Sequence, residues 1–287
     1  MNSVELRGLA KAQGAFQLGE LSFAVPEGYI TGFIGPNGAG KTSTIKAILG
    51  LNRPDSGEIL LFGEPLEQGG QSRNGEIGVV MDAPFFVEDW TAAELQRVLA
   101  PFYRAWDGAH YASLLARFGL DPRKKIKELS RGMKVKLMLS VAFSHGARLL
   151  LLDEPTSGLD PLTRDELGEI LGEFMQEEGR SVLFSTHIGS DLERIADHIV
   201  FLLEGRLLFS GPKEELLGGY RRVTGGVKAL SRALRAQIIG LREHGVGFEG
   251  LIPSGAAKDL GGELLAEPAS LEEIFVFLGR GKQGHAE

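Results

Sequence analysis

The chain has 287 residues, 43% hydrophobic and 24% charged, with no cysteine and a formal net charge of −7. It is too apolar for a disordered chain and long enough for one or two packed domains. The lack of cysteine excludes disulfides, thiolate metal sites, iron–sulfur ligation and a cysteine nucleophile, and the acidic balance argues against nucleic acid as a partner. The longest apolar runs, at 149–152 and 199–203, are strand-sized, far short of the ~20 residues of a spanning helix. No apolar stretch follows a basic start, so no signal peptide is expected.

In chain order, residues 3–9 and 21–25 read as strands joined by a polar turn around Gly14. Residues 29–34 form an apolar strand that runs into a glycine-rich turn, and Thr42 to Leu51 carries Ile45, Ile48 and Leu49 at helical spacing. Turn chemistry at 53–58 is followed by expected strands at 59–62 and 77–81. Residues 91–118 read as mainly helical, with Leu95, Val98, Leu99, Phe102, Leu114, Leu115 and Phe118 as the buried stripe, and 133–144 as a further helix. Leu149 to Leu152 and Ser181 to Ser185 suit the middle of a parallel sheet. With a helix at 161–178 between them they make a βαβ unit.

Near residue 212 the character changes. Between Leu216 and Arg242 stand six basic residues and no acidic one, whereas acids predominate from Glu243 to Glu273. Gly218-Gly219 and Gly225-Gly226 read as hinges, and a boundary at 212–220 divides a main domain, 1–212, from a small accessory domain, 213–287. Leu230, Leu234, Ile238 and Leu241 suggest one amphipathic helix. It either packs on the accessory domain with solvated arginines or meets anionic headgroups or a regulatory partner. Residues 271–278 read as a closing amphipathic helix and 279–287 as a frayed tail.

Two motifs carry chemistry. Gly35, Pro36, Asn37, Gly38, Ala39, Gly40, Lys41 and Thr42 fit G-x-x-x-x-G-K-[ST] between a strand and a helix. In that setting backbone N–H groups and a helix N-terminus cradle phosphates. With Ser43, these residues are the candidate ATP site. Lys41 is expected to reach the β- and γ-phosphates and Thr42 to hold Mg²⁺. Leu149 to Leu152 then delivers Asp153 and Glu154 to a strand end, where ligand sites of open α/β sheets lie. Asp153 suits Mg²⁺ through water and Glu154 suits a base for the attacking water. Read alone, the two acids are equally a solvated pair; the phosphate loop favours the catalytic reading.

The stretch Leu129-Ser130-Arg131-Gly132-Met133-Lys134 resembles the L-S-G-G-Q signature of ATP-binding cassette (ABC) ATPases. Ser130 lies 89 positions after Lys41 and 23 before Asp153. Ser157-Gly158-Leu159-Asp160-Pro161 resembles the family's D-loop, and Ser185-Thr186-His187 its switch histidine. The likeness covers about residues 3–212. It implies a P-loop α/β cassette with an antiparallel β-subdomain near the N-terminus, a helical subdomain at about 83–148 and a small C-terminal accessory domain. It further implies a head-to-tail dimer, with itself or with another cassette, in which Ser130 and Gly132 reach the partner's ATP and His187 acts with Glu154. An acid placed at 132 is expected to face phosphate.

The sequence departs from the family pattern in places. Arg131 replaces a usual Gly and Met133 a usual Gln, and Asp82 stands where a Gln normally links Mg²⁺ and the attacking water to the membrane partner. Asp82 remains able to ligate the ion but cannot donate an amide hydrogen bond. The adenine-stacking aromatic of the family aligns near Gln13, with Phe16 the nearest ring. The signature and Asp82 resemble bacterial exporter-type cassettes. The resemblance implies an ATP hydrolase peripheral on the cytoplasmic face of a membrane, coupled to an integral membrane permease. The apolar segment 83–90 then either joins the helical subdomain's core or receives a short helix of that permease. A soluble cassette ATPase, as in iron–sulfur assembly, is the alternative. A single phosphate loop and a short insertion argue against translation-type and repair-type members, and Glu154 argues against a non-hydrolysing module.

Overall fold

A strand without a polar face has to lie inside a sheet that is covered on both sides. The computed structural model describes residues 1–14, 16–66, 74–82, 85–261 and 264–283. Along the chain run β1 (Asn2–Gln13), β2 (Phe16–Pro26), β3 (Ile30–Ile34), α1 (Lys41–Ile48), β4 (Ser56–Leu61), β5 (Glu64–Pro65) and β6 (Ile77–Val80). Then follow α2 (Ala92–Leu99), α3 (Gly108–Arg117), α4 (Arg131–Ser144), β7 (Leu149–Asp153), α5 (Pro161–Phe174), β8 (Ser181–Thr186), α6 (Gly189–Ile195), β9 (His198–Leu203) and β10 (Arg206–Pro212). The remainder comprises α7 (Lys213–Gly219), β11 (Tyr220–Gly225), α8 (Arg232–Gln237), β12 (Ile239–His244), β13 (Gly247–Pro253), β14 (Leu264–Pro268) and α9 (Leu271–Gln283).

The central sheet has the order β10-β9-β3-β8-β7-β6. Neighbours from β9 to β6 pair in parallel, and β10 closes one edge antiparallel. Its side chains split with the two-residue period of a pleated strand. Leu150, Leu152, Val182 and Phe184 enter the core under the helices, whereas Leu149, Leu151, Leu183 and Phe33 enter the core on the other face. That second core is closed by α1 and by an antiparallel sheet ordered β2-β1-β4-β5. The register sets Ile34 beside Thr186 and Asp153 beside Ser185. The ends of β3, β7 and β8 are therefore level, and whatever follows each strand meets at one edge of the sheet.

The helical run expected over 91–118 is interrupted. A 3-10 turn at Ala100–Phe102 contains Pro101, and the chain restarts at Asp107, whose carboxylate accepts the His110 N–H at 2.8 Å. Proline cannot supply a mid-helix donor, and a new N-cap begins a new helix. Of the apolar segment 83–90, Ala83 and Pro84 lie outside the described residues. The helix expected over 161–178 stops at Phe174.

Residues 216–242 are not one helix. They divide into the end of α7, β11, a 3-10 turn, α8 and the start of β12. The strands join an antiparallel sheet ordered β12-β13-β11-β14. The helical spacing of Leu230, Leu234 and Ile238 is real but local. Leu234 and Ile238 pack with Val223, Phe248 and Ile252 in a small core of their own, and Leu230 lies against it. Strand pairing with residues far along the chain overrides the pattern, and the paired glycines break it. Three of the basic residues are answered within this unit: Arg222 and Arg242 flank Glu249, and Arg235 pairs with Glu243. The closing helix runs on to Gln283, so 279–283 is helical; 284–287 lies outside the described residues.

Leu271, Ile274 and Phe277 of α9 enter the main core rather than the small one. Ile274 is fully buried. Ile274→Ala is expected to lower the unfolding free energy of the whole chain by about 2–5 kcal/mol, the usual range for such truncations. Urea denaturation followed by tryptophan fluorescence checks this, because both tryptophans, Trp90 and Trp106, lie in the helical subdomain.

Candidate functional site

The phosphate-loop stretch curls between the end of β3 and α1. Gly38 and Gly40 take φ of 80° and 109°, a left-handed backbone open to glycine. The loop aims the first turn of α1 at a cavity of about 360 Å³ lined by Phe16, Asn37, Gly38, Gly40, Lys41, Thr42, Ser43 and Glu154. Phe16 is thus in the wall of the cavity. The sequence offered it only as the ring nearest Gln13; the β1–β2 hairpin, which pairs Phe16 with Gln13, brings it there.

Lys41 is 5% exposed. Its ammonium donates to Gly35 O at 2.7 Å and Pro36 O at 3.2 Å and lies 3.1 Å from Glu154 Oε1. The other carboxylate oxygen of Glu154 is 2.7 Å from His187 Nδ1. Glu154 itself has φ of 51°. Its N–H reaches Ser185 O at 3.0 Å and Ser185 Oγ at 3.3 Å. Next to it, Asp153 is 3% exposed and accepts from the Thr42 hydroxyl at 2.8 Å and the Ser185 hydroxyl at 2.6 Å. Ser185 is the member of this set that the sequence did not mark for a role. Its signal was a hydroxyl inside an apolar strand, at the register position beside Asp153. Lys41, Thr42, Asp153, Glu154 and His187, drawn from two strand ends and one helix, thus form with Ser185 one continuous polar cluster.

The residues fit a Mg²⁺ ion in donor chemistry. A hydroxyl and a carboxylate are hard oxygen donors, and Mg²⁺ takes few such protein ligands beside water and phosphate oxygens. Among the described residues no group of three acidic or histidine side chains could hold a metal alone. Asp82, expected with Thr42 and Asp153, is turned elsewhere: its carboxylate pairs with Arg131. Two of the departures from the family pattern, Arg131 and Asp82, therefore meet each other within one chain.

Ser130 caps α4, its hydroxyl accepting the Met133 N–H at 3.3 Å. Gly132 is in the first turn, but a Cβ there would sit 3.1 Å from Thr163 Cγ2 and 3.6 Å from Leu159 Cδ2 of the same chain. Any side chain at 132 would thus crowd α5 of its own chain, whatever it faces across a dimer. Asp160 caps α5, accepting from the Thr163 hydroxyl and N–H at 2.7 and 3.0 Å. Those bonds hold its carboxyl below the usual carboxylate range. Among the described residues no helix is long and apolar enough to cross a membrane.

Comparison with known proteins agrees with this geometry. A sequence model of the family described as ABC transporter matches residues 18–157. The ABC transporter ATP-binding protein YtrB of Bacillus subtilis is 30% identical over 98% of this chain and 99% of its own length. The chain belongs to the ABC transporter family. The bacitracin transport ATP-binding protein BcrA of Bacillus licheniformis is 35% identical over 68% of the cassette chain, which spans 65% of BcrA. A solved structure described as an ATP binding subunit of an ABC transporter superposes with a TM-score of 0.67 at 32% identity, covering 74% of the cassette chain and 91% of that one. Its fold class is accordingly that of a P-loop ABC cassette.

Lys41→Ala removes the cation of the cluster. In a site built for phosphate charge, this is expected to weaken MgATP binding by at least about tenfold, the equivalent of 1.4 kcal/mol. Equilibrium titration with a fluorescent ATP analogue measures it; unchanged affinity would refute the loop's role.

Proposed function

We propose that the chain is the ATP-hydrolysing subunit of an exporter, peripheral on the cytoplasmic face of the membrane and coupled to an integral membrane permease. The observation that carries this reading is the cluster itself: one carboxylate, Glu154, stands between the loop lysine and a histidine and lines the cavity of about 360 Å³ beside the glycine-rich loop. Related ATP-binding proteins named for bacitracin transport and Nod factor export support the transport part.

The reaction follows from the cluster. Before ATP enters, Glu154 supplies the counter-charge of Lys41. Triphosphate oxygens in the loop give Lys41 a stronger partner and release Glu154 Oε1. That oxygen then accepts a proton from a water placed for attack on the γ-phosphorus, and ADP leaves with the bond electrons. His187 holds the second oxygen and fixes the carboxylate's direction. Thr42 and Asp153 are the oxygens that would hold Mg²⁺, which when bound offsets charge on the β- and γ-phosphates. Phe16 offers an aromatic face for the base.

Two cassettes work head to tail, identical or different. Ser130, at the exposed N-terminus of α4, meets the ATP held by the other chain, because unpaired N–H groups at a helix start favour an anion. Phe85, Val87 and Phe102 are exposed at 66%, 49% and 80%. Large apolar side chains left exposed suit an interface, and here they suit a permease segment. The division into a main domain, 1–212, and an accessory domain, 213–287, belongs to the same reading.

Glu154→Gln keeps shape and loses the base. Turnover is expected to fall by about 10²–10⁴-fold, with ATP binding retained and an ATP-bound dimer accumulating on gel filtration; near-normal phosphate release would sink the assignment. Ser130→Asp is sharper than a change at 132. Aspartate caps a helix as well as serine but adds a negative charge where the partner's phosphate is due. The expected result is a monomer that binds ATP normally and hydrolyses it slowly. A normal ATP-dependent dimer would refute the role given to α4.

A further inference from the structure

His187 ends the turn after β8, and only Ile188 separates it from α6. That helix has no side-chain cap at its start. What fixes its first turn lies far along the chain. A Cβ at Gly189 would fall 2.8 Å from Glu272 Cα and 2.9 Å from Glu272 N, so the backbones of α6 and α9 touch there. One turn on, Glu193 accepts the Leu271 N–H at 3.3 Å, and its own carbonyl accepts Lys213 Nζ at 2.7 Å. Leu192 is fully buried in the same core as Leu271 and Ile274. The phenyl rings of Phe201 and Phe275 lie 5.1 Å apart beside them.

The start of α9 is itself held firmly. Ser270 and Glu273 form a reciprocal cap: Glu273 N–H donates to Ser270 Oγ at 3.2 Å, and Ser270 N–H donates to Glu273 Oε2 at 2.9 Å. Glu273 also pairs with Arg222 of β11 at 3.3 Å, which ties this corner to the C-terminal sheet. A rigid corner of the C-terminal unit therefore abuts the first residue of the helix that follows His187.

We infer that the C-terminal unit positions His187: α9, seated against Gly189 and anchored by Glu193, fixes the start of α6 and through it the imidazole beside Glu154. Gly189, Glu193 and Glu272 are positioning residues; none of them touches the cluster. The effect on turnover rests on the role proposed above for His187, whereas the effect on the imidazole does not. A shift of the C-terminal unit, by a partner or by a second cassette, would reach the reaction along this path. A displacement on the scale of 1 Å is enough to matter to a catalytic group.

The test uses the full chain with two variants. Gly189→Ala inserts a methyl between two backbones. Glu193→Ala removes the anchor without adding bulk, and decides the matter should the first fail to fold. Val246→Ala, at an 88% exposed side chain in the C-terminal unit, is the control. The imidazole resonances of the nucleotide-free protein are recorded by NMR, with His187 identified by its loss in His187→Asn. The expected result is a moved His187 resonance in both variants and a kcat lowered roughly tenfold, with ATP affinity unchanged and the control like wild type. Resonances that stay in place in every folded variant, with only the unfolding midpoint lowered, would overturn the inference. A moved resonance with normal turnover would support it and refute instead the part given to His187 in hydrolysis.

Discussion

A lysine ammonium that is almost wholly buried cannot remain without a counter-charge, because removing a cation from water costs several kcal/mol even after relaxation. Lys41 is in that position, and Glu154 answers it. To do so the glutamate adopts a left-handed backbone, φ 51°, which costs an L-residue roughly 1–2 kcal/mol. Two contacts with Ser185 hold that conformation, and His187 takes the oxygen that Lys41 leaves. The ends of β3, β7 and β8 are thus tied through one carboxylate. Strain gathered at a reacting group and held by its surroundings is a common feature of functional sites.

The same reasoning accounts for the neighbourhood of α4. Cations in the first turn of a helix oppose its dipole, yet α4 begins with Arg131 and Lys134. Acids from the segment after β6 offset them: Asp82 faces Arg131, and Glu88 lies 3.3 Å from Lys134. Asp89 lies near Lys125 and Lys127. Exposed pairs are individually weak, but together they join the segment after β6 to the stretch that leads into α4. Two residues that look like separate departures from a family pattern are one contact.

The C-terminal unit has a small core of its own, but its last helix belongs to the main one. That arrangement seats α9 against the start of α6, the helix that begins two residues after His187. Its acids and bases, segregated along the sequence, are brought together by antiparallel pairing of β11, β12 and β13.

Much of this protein was legible in the sequence because the determining interactions are local. A glycine-rich turn before Lys41-Thr42 needs only its own backbone to form an anion cradle. A run of four leucines before Asp153-Glu154 suits an inner strand that ends at the sheet's edge. Residues 216–242 were misread for the opposite reason: helical spacing is a weak local preference, and the pairing of β11 with β13 and β14, whose partner residues lie 23 to 47 positions away, outweighs it. The pairing of Asp82 with Arg131, the place of Phe16 in the cavity wall and the inward turn of Gly132 toward Thr163 were likewise decided by tertiary structure. The sequence by itself determined which chemical groups this chain carries and which strand ends deliver them. Only the folded chain decided which of those groups face one another, because direction in space depends on every element packed behind them.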